Sequence, residues 1–158
     1  MKKLQKPNPP TGFQRLLWRL PIRLFRTHLG FLVSKRIMLL THIGRASGQP
    51  RQAALEVVEH RDDGSIIAAS GFGAAADWYK NVGKTPEVTV QVGSRVHRAH
   101  AITLSTEEGG DLMAHYAMKR PRSARQLSRL MGFEVDGSAE DFREVGRAIP
   151  FVRFVPVA

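Results

Sequence analysis

The chain has 158 residues, of which 24 are Lys or Arg, 14 are Asp or Glu and none is Cys. That length is typical of one domain with a full-sized core. The absence of cysteine excludes a disulfide scaffold, a thiolate zinc site and a cysteine nucleophile. The longest stretch without a charged residue, 64–76, has 13 residues, whereas a membrane-spanning helix needs about 20. We therefore expect a cytoplasmic protein with no spanning helix.

The positive charge is concentrated in the N-terminal third of the chain. Residues 1–55 contain eleven Lys or Arg and no acid, whereas residues 56–158 contain thirteen basic and fourteen acidic residues. A field of this sign attracts phosphate, polycarboxylate, anionic lipid or nucleic acid, and the charge alone does not choose among them. No base-reading motif is present, so we do not expect nucleic acid as a partner.

The N-terminal residues divide into two segments. Residues 1–12 contain three prolines and several lysines, which predicts a basic flexible tail. Residues 13–34 form an amphipathic helical pattern, with Pro21 expected to kink it. Four arginines recur every three or four residues on one helical face: Arg15, Arg19, Arg23 and Arg26. Such a helix either makes peripheral contact with an anionic membrane or packs its leucines on the rest of the protein or on a partner subunit.

From residue 35 onwards the pattern changes to short strands joined by tight turns. We predict six strands at 37–42, 53–59, 65–70, 88–92, 95–104 and 151–155. Helices are predicted at 74–82, from the capping box at Ser105 to residue 119, at 122–131 and from Ser138 onwards. This order predicts an α+β domain over 35–158, in which a small antiparallel barrel is flanked by helices.

The loop 44–51 is the first candidate site. Arg45 and Arg51 flank it, and Ser47 and Gln49 add further donors. Two planar guanidinium groups and the backbone NH groups of a tight turn suit a phosphate or carboxylate. The alternative is a solvated hairpin turn with incidental arginines.

The segment 68–73 is the second candidate site. Ser70, Gly71 and Gly73 are small enough to let a flat ligand approach the backbone, and Trp78 could cover a ring face. The alternative is a flexible turn followed by a core tryptophan. The histidines lack metal-ligand spacing, so no metal site is expected. A serine hydrolase motif and a phosphate-binding P-loop are also absent.

The two loops together, in this order and spacing, resemble the deazaflavin-dependent nitroreductase and quinone reductase family. Members of that family are flavin-reductase-like split β-barrels that bind coenzyme F420. The resemblance covers about residues 35–158, and its matching segments are 39–51, 69–71, 78–81, 86–93 and 149–152.

The resemblance implies an oxidoreductase that passes a hydride between F420 and a quinone-like, nitro or enone acceptor. It also implies a homodimer, the common assembly of split barrels. The coenzyme's phosphate and acidic tail would be held by Arg45, Ser47, Gly48, Gln49, Pro50 and Arg51. Ser70, Gly71 and Gly73 would lie beside the deazaflavin ring, with Trp78 shaping the pocket and Ser70 as the candidate catalytic residue.

Two other functions remain open on the sequence. The same fold could bind FMN in place of F420. A basic membrane-surface or anion-binding protein without a redox cofactor would also account for the charge distribution.

Overall fold

The computed structural model describes residues 2–3 and 36–157. Within them, six antiparallel strands close into a barrel. These strands are β2 (Ile37–Ile43), β3 (Pro50–His60), β4 (Ile66–Ala69), β5 (Glu87–Val92), β6 (Arg95–Thr103) and β8 (Phe151–Pro156). Their order around the barrel is β2-β3-β4-β8-β6-β5. The predicted α+β barrel is confirmed. The helix predicted over 13–34 lies outside the described residues.

Strand β3 is longer than its predicted range of 53–59 because it pairs with two neighbours in succession. Its first seven residues pair with β2, from Pro50 opposite Ile43 to Glu56 opposite Ile37. Its second half pairs with β4, with a change of register between Val57 and Glu59. Such a bulge bends the strand and lets one strand serve two sides of a small barrel.

A two-residue strand pair stands apart from the barrel. Lys2–Lys3, strand β1, pairs antiparallel with Phe133–Glu134, strand β7. Residues 4–12 lie outside the described residues, so the flexible tail expected over 1–12 stays a prediction. The sequence holds no local signal for this contact, because the two partners are about 130 residues apart.

Four α-helices lie among the described residues, and none of them is long and apolar enough to cross a membrane. They are α1 (Asp77–Lys84), α2 (Thr106–Lys119), α3 (Pro121–Leu130) and α4 (Ala139–Ala148). The capping box at Ser105 is confirmed. The helix predicted over 74–82 is wrong in its start, because Ala76 is extended and separates a 3-10 turn at Gly73–Ala75 from α1.

The described residues form two apolar cores, one on each side of the barrel wall. One fills the barrel and includes Met38, Val90 and Phe154. The other lies between the wall and helices α2, α3 and α4, and includes Ile67 and Phe151. All four residues of β4 are buried because this strand contacts both cores. That explains its uninterrupted apolar sequence, which lacks the usual alternation.

A buried hydroxyl joins the helical layer to the barrel wall. Tyr116 of α2 is 3% exposed, and its hydroxyl donates to Oε1 of Glu56 on β3 at 2.9 Å. Burial, reinforced by the Glu56 carboxylate, raises the pKa of Tyr116, so the hydroxyl remains a donor. Arg36 adds a guanidinium that contacts both Glu56 and Ser123 of α3.

Helices α2 and α4 cross where two glycines face each other. A Cβ on Gly109 would lie 2.7 Å from the carbonyl oxygen of Gly146. A Cβ on Gly146 would collide with the carbonyl oxygen of Gly109 and with Met113. Because backbone atoms cannot swing aside as side chains do, this crossing requires the absence of a side chain at both positions.

We predict that Gly146→Ala lowers the free energy of unfolding by about 1–3 kcal/mol, the usual cost of overpacking. Gly83→Ala is the matched control, because Gly83 lies in α1 with nothing within 4 Å of its added Cβ. There the better helix propensity of alanine should leave stability unchanged or raise it by up to about 1 kcal/mol. Urea unfolding of both variants measures the difference. Equal responses would show that the crossing tolerates a methyl group.

Candidate functional site

The loop between β2 and β3 is exposed and held by its own backbone. The NH of Gly44 donates to the carbonyl of Gln49 at 2.9 Å, and the NH of Gly48 donates to the carbonyl of Gly44 at 2.9 Å. Gly48 has a φ of 69°, a left-handed conformation that favours glycine. The NH of Gln49 donates to Oγ of Ser47 at 3.2 Å. The loop therefore has a defined shape without any ligand.

Arg45 anchors this loop to helix α1. Its backbone NH and its Nη1 both donate to Oδ1 of Asn81, at 3.1 and 2.9 Å, and its Nη2 donates to Oδ1 of Asp77 at 3.0 Å. The Nζ of Lys84 donates to the carbonyl of Arg45 at 2.9 Å. The guanidinium of Arg45, which the sequence predicted to hold a ligand anion, thus bonds to two side chains of α1.

The amide of Asn81 fixes the protonation of a buried histidine. Because its Oδ1 accepts two bonds from Arg45, its Nδ2 must be the atom 3.1 Å from Nδ1 of His42. Nδ1 of His42 then accepts, and the ring proton lies on Nε2. Burial lowers the pKa of His42 to about 4; Asp77 opposes this shift and Arg51 adds to it. The imidazole is therefore neutral near pH 7.

Arg51 differs from Arg45 in its contacts. It lies at the start of β3, its side chain is exposed, and within residues 36–157 its guanidinium has no hydrogen-bond or ion-pair partner. Ser47 and Gln49 are exposed on the same loop. Among the described residues, the fold therefore does not use the charge of Arg51.

The second candidate loop is a turn closed by the side chain of Ser70. Ser70 is fully buried, and its hydroxyl donates to the carbonyl of Gly73 at 2.6 Å. The NH of Gly73 donates back to the carbonyl of Ser70 at 3.0 Å, with a φ of 80° at Gly73. The hydroxyl therefore builds the turn that continues into α1.

Gly71 makes room for a side chain of the protein. A Cβ at this position would lie 2.9 Å from Cδ2 of Leu130, at the end of α3. The close approach that the sequence assigned to a flat ligand is made here by a leucine of the outer helical layer. The turn therefore lies against α3 on this side.

Trp78 lies in the barrel core. It is 8% exposed, and its ring centroid is 6.5 Å from that of Phe154 and 5.9 Å from that of Tyr79. Trp78 and Val82 project from α1 into the barrel interior, so this helix closes one end of the barrel. Trp78 thus packs as a core tryptophan, and its role in shaping the coenzyme pocket stays a prediction.

Both candidate loops lie at the same end of the barrel. In the antiparallel order, β2 ends, β3 begins and β4 ends at that side. Helix α1 connects them, because its first residues follow the 70–73 turn and its last turn holds Arg45.

Sequence reasoning missed His42, Asp77 and Asn81 as parts of the site. The spacing of Asp77, Asn81 and Lys84 on one helical face is the signal that could have revealed the clamp.

The fold and this cationic loop define a split-barrel protein of the coenzyme-binding type. Residues 22–132 match the F420H(2)-dependent quinone reductase family, and the chain belongs to that family. It is therefore an F420-dependent oxidoreductase, and its coenzyme is F420. Among the described residues, no group of three or more His, Asp or Glu side chains is placed to hold a metal ion.

Individual relatives agree with this assignment. Over 85 residues the chain is 32% identical to the putative F420H(2)-dependent quinone reductase Rv3178 of Mycobacterium tuberculosis, covering 52% of this chain and 71% of the relative. The solved F420-H2 dependent reductase FDR-A is 25% identical with a TM-score of 0.53, covering 77% of this chain and 96% of its own. A chain described as a domain-swapped dimer is 23% identical with a TM-score of 0.54, covering 90% and 99%, and supports the fold.

The lowered pKa of His42 predicts a loss of stability in mild acid. Between pH 6.5 and about 4 the unfolded chain binds a proton at this imidazole that the folded protein does not bind. The free energy of unfolding therefore decreases as the pH falls through this window, by about 2 kcal/mol at pH 5 from a shift of this size. Burial also lowers the pKa of His97, which acts in the same direction.

An NMR titration of the histidine rings measures this directly, and we expect the His42 midpoint near pH 4. His42→Gln keeps an acceptor for Asn81 and should remove this residue's part of the pH dependence in urea unfolding. A His42 midpoint near 6.5 would contradict the neutral, buried imidazole.

Proposed function

We propose that the loop 44–51 binds the phosphate and acidic tail of F420, with Arg51 as the principal contact. The observation that carries this proposal is the exposed guanidinium of Arg51 on a loop whose shape is already set. Planar guanidinium groups bind phosphate and carboxylate with paired hydrogen bonds. The hydroxyl of Ser47 and the amide of Gln49 add exposed polar groups, while Gly48 and Pro50 shape the loop. The donor set therefore fits a polyanionic coenzyme tail.

Arg45 acts in this proposal as a positioning residue. Its guanidinium bonds to Asn81 and Asp77, so it fixes the distance between the loop and α1. It still adds positive potential at the site, because its side chain is 38% exposed. Loss of Arg45 should thus disturb both the loop and the ligand.

The turn 70–73 is proposed to border the deazaflavin ring. Ser70 contributes by holding the carbonyl of Gly73 through its buried hydroxyl, and Gly71 packs against Leu130. Trp78 supports the same region from the barrel interior. When bound, the coenzyme supplies the hydride chemistry. The chain's own residues bind it, orient it and exclude water, which fits a site without an acid–base triad.

The acceptor is proposed to be quinone-like. This is supported by the family to which residues 22–132 belong and by the printed name of the Mycobacterium tuberculosis relative. Nitro compounds and enones are further candidate acceptors of the same hydride. Turnover of reduced F420 with one compound of each class ranks them.

The remaining proposals concern the protein's surroundings. A homodimer is supported by the similarity in fold to a domain-swapped dimer.

A cytoplasmic location and peripheral membrane contact through residues 13–34 rest on the sequence, where four arginines alternate with leucines. A membrane-bound quinone would be a natural acceptor for an enzyme held at that surface.

Arg51→Ala should weaken F420 binding by about 1.5–3 kcal/mol, the range for a charge-assisted hydrogen bond. The thermal midpoint of the protein without coenzyme should stay the same, because this side chain has no partner among residues 36–157. Tryptophan fluorescence titration measures affinity. Arg45→Ala is the matched comparison and should lower both affinity and midpoint. Unchanged affinity with a lowered midpoint for Arg51→Ala would make this arginine structural.

The N-terminal segment is tested by replacing four arginines in the full chain with glutamine: Arg15, Arg19, Arg23 and Arg26. We expect wild-type protein to pellet with anionic and not neutral vesicles at low salt, and this variant to pellet less, since each basic residue near an anionic surface contributes about 1 kcal/mol. Equal pelleting of both proteins would assign residues 13–34 to packing instead.

A further inference from the structure

The corner between helices α2 and α3 exposes an apolar side chain beside three cations. Met118 is 80% exposed, although it lies in α2, whose other face is core. Lys119, Arg120 and Arg122 are exposed, and within residues 36–157 none of their side chains has a hydrogen-bond or ion-pair partner. Residues 118–122 are called the basic corner below.

The positive charge continues from the basic corner along α3. Arg122, Arg125 and Arg129 are spaced by three and four residues, which places them on one exposed helical face. Between Asp111 and Glu134 the chain carries five Lys or Arg and no acid. These five cations are separate in sequence from residues 1–55, where the sequence analysis found the positive charge to be concentrated.

Other arginines of the helical layer are paired with acids. Arg143 contacts Asp111, and Arg147 lies 3.4 Å from Glu107. Acidic side chains thus neutralise the arginines of α4, whereas the cations of the basic corner have no acidic partner among residues 36–157. Two further differences set α3 apart: it has no side-chain cap, and its first turn contains no acid.

Helices α2 and α4 instead begin with a serine cap and two acids each. Cations near the positive end of a helix dipole lower its stability. Arg122, in the first turn of α3, therefore does not serve the stability of that helix, whereas Lys119, in the last turn of α2, is favourably placed. A local cost of the kind seen at Arg122 is expected where a surface has another role.

We propose that the basic corner docks on an anionic lipid bilayer, with Met118 entering the headgroup layer and the three cations contacting lipid phosphates. An exposed apolar residue surrounded by unpaired cations is the composition of surfaces that bind anionic membranes. Nucleic acid would be complementary to the cations alone, and an apolar side chain exposed at its centre would gain nothing from a phosphate backbone. The inference does not depend on residues 13–34.

A cavity beside the basic corner offers room for a headgroup. It has a volume of about 140 Å³, and Lys119 lines it together with His60 and His115. Glu59 also lines the cavity, and its carboxylate is paired with Arg61 at 3.3 Å. The cavity therefore offers a lipid phosphate the ammonium group of Lys119.

The test uses the absence of cysteine from the chain. Met118→Cys is labelled with a polarity-sensitive fluorophore and mixed with vesicles of phosphatidylcholine, with or without phosphatidylserine. We expect a blue shift with the anionic vesicles at low salt, lost at high salt. Val96→Cys is the control, because Val96 is 57% exposed on the barrel surface away from this corner and should show no shift.

A charge variant supplies the second measurement in the full chain. Lys119→Gln/Arg120→Gln/Arg122→Gln should lose at least about tenfold in vesicle affinity, because each basic residue near the surface contributes about fivefold. The matched control changes three exposed cations that also lack partners among the described residues: Lys80→Gln/Arg95→Gln/Arg98→Gln. Both variants lower the net charge equally, and residues 13–34 are unchanged in both.

Three results would overturn the proposal. One is an equal loss of vesicle affinity in the two charge variants, and another is a blue shift of the Met118→Cys label with neutral vesicles. The third is a shift with duplex DNA and none with vesicles, which would assign the basic corner to a polynucleotide. These readouts involve no F420 and no acceptor, so they are independent of the tests of the coenzyme site.

Discussion

The side-chain amide of Asn81 connects the exposed arginine loop to the interior of the barrel. Its oxygen accepts two bonds from Arg45, and its nitrogen donates to His42, whose ring is buried on the inner face of β2. The arrangement requires a neutral imidazole, because a protonated Nδ1 would face the NH₂ of Asn81 with two donors and no acceptor. The position of the loop 44–51 is therefore set by the buried amide of Asn81 and the imidazole that accepts from it.

The outer helical layer places the second half of the site. Gly109 and Gly146 let α2 and α4 approach until their backbones touch, and α3 packs beside them. Leu130, at the end of α3, then reaches Gly71 in the turn after β4. The same layer therefore sets both the turn proposed to border the coenzyme ring and the basic corner at the opposite end of α3.

The features that the sequence predicts well are local. Alternating strands, turn glycines and the cap at Ser105 depend on neighbouring residues, and the barrel follows from them. The sequence could not separate the roles of Arg45 and Arg51 in this way. The difference depends on the side-chain amide of Asn81, which binds Arg45 and lies 36 residues further along the chain. The core position of Trp78 was likewise not predictable from local sequence. It depends on α1 closing a barrel whose strands come from both ends of the domain.

The frame of the arginine loop is made by backbone bonds and by Arg45, and neither the side chain of Ala46 nor that of Gln49 takes part in it. These two positions can accordingly accumulate substitutions without unfolding the domain. A lineage could exchange them to suit coenzymes with longer or shorter acidic tails while conserving Asn81 and His42. Divergence within such enzymes should then be fastest at the tip of the loop and slowest at its buried anchor.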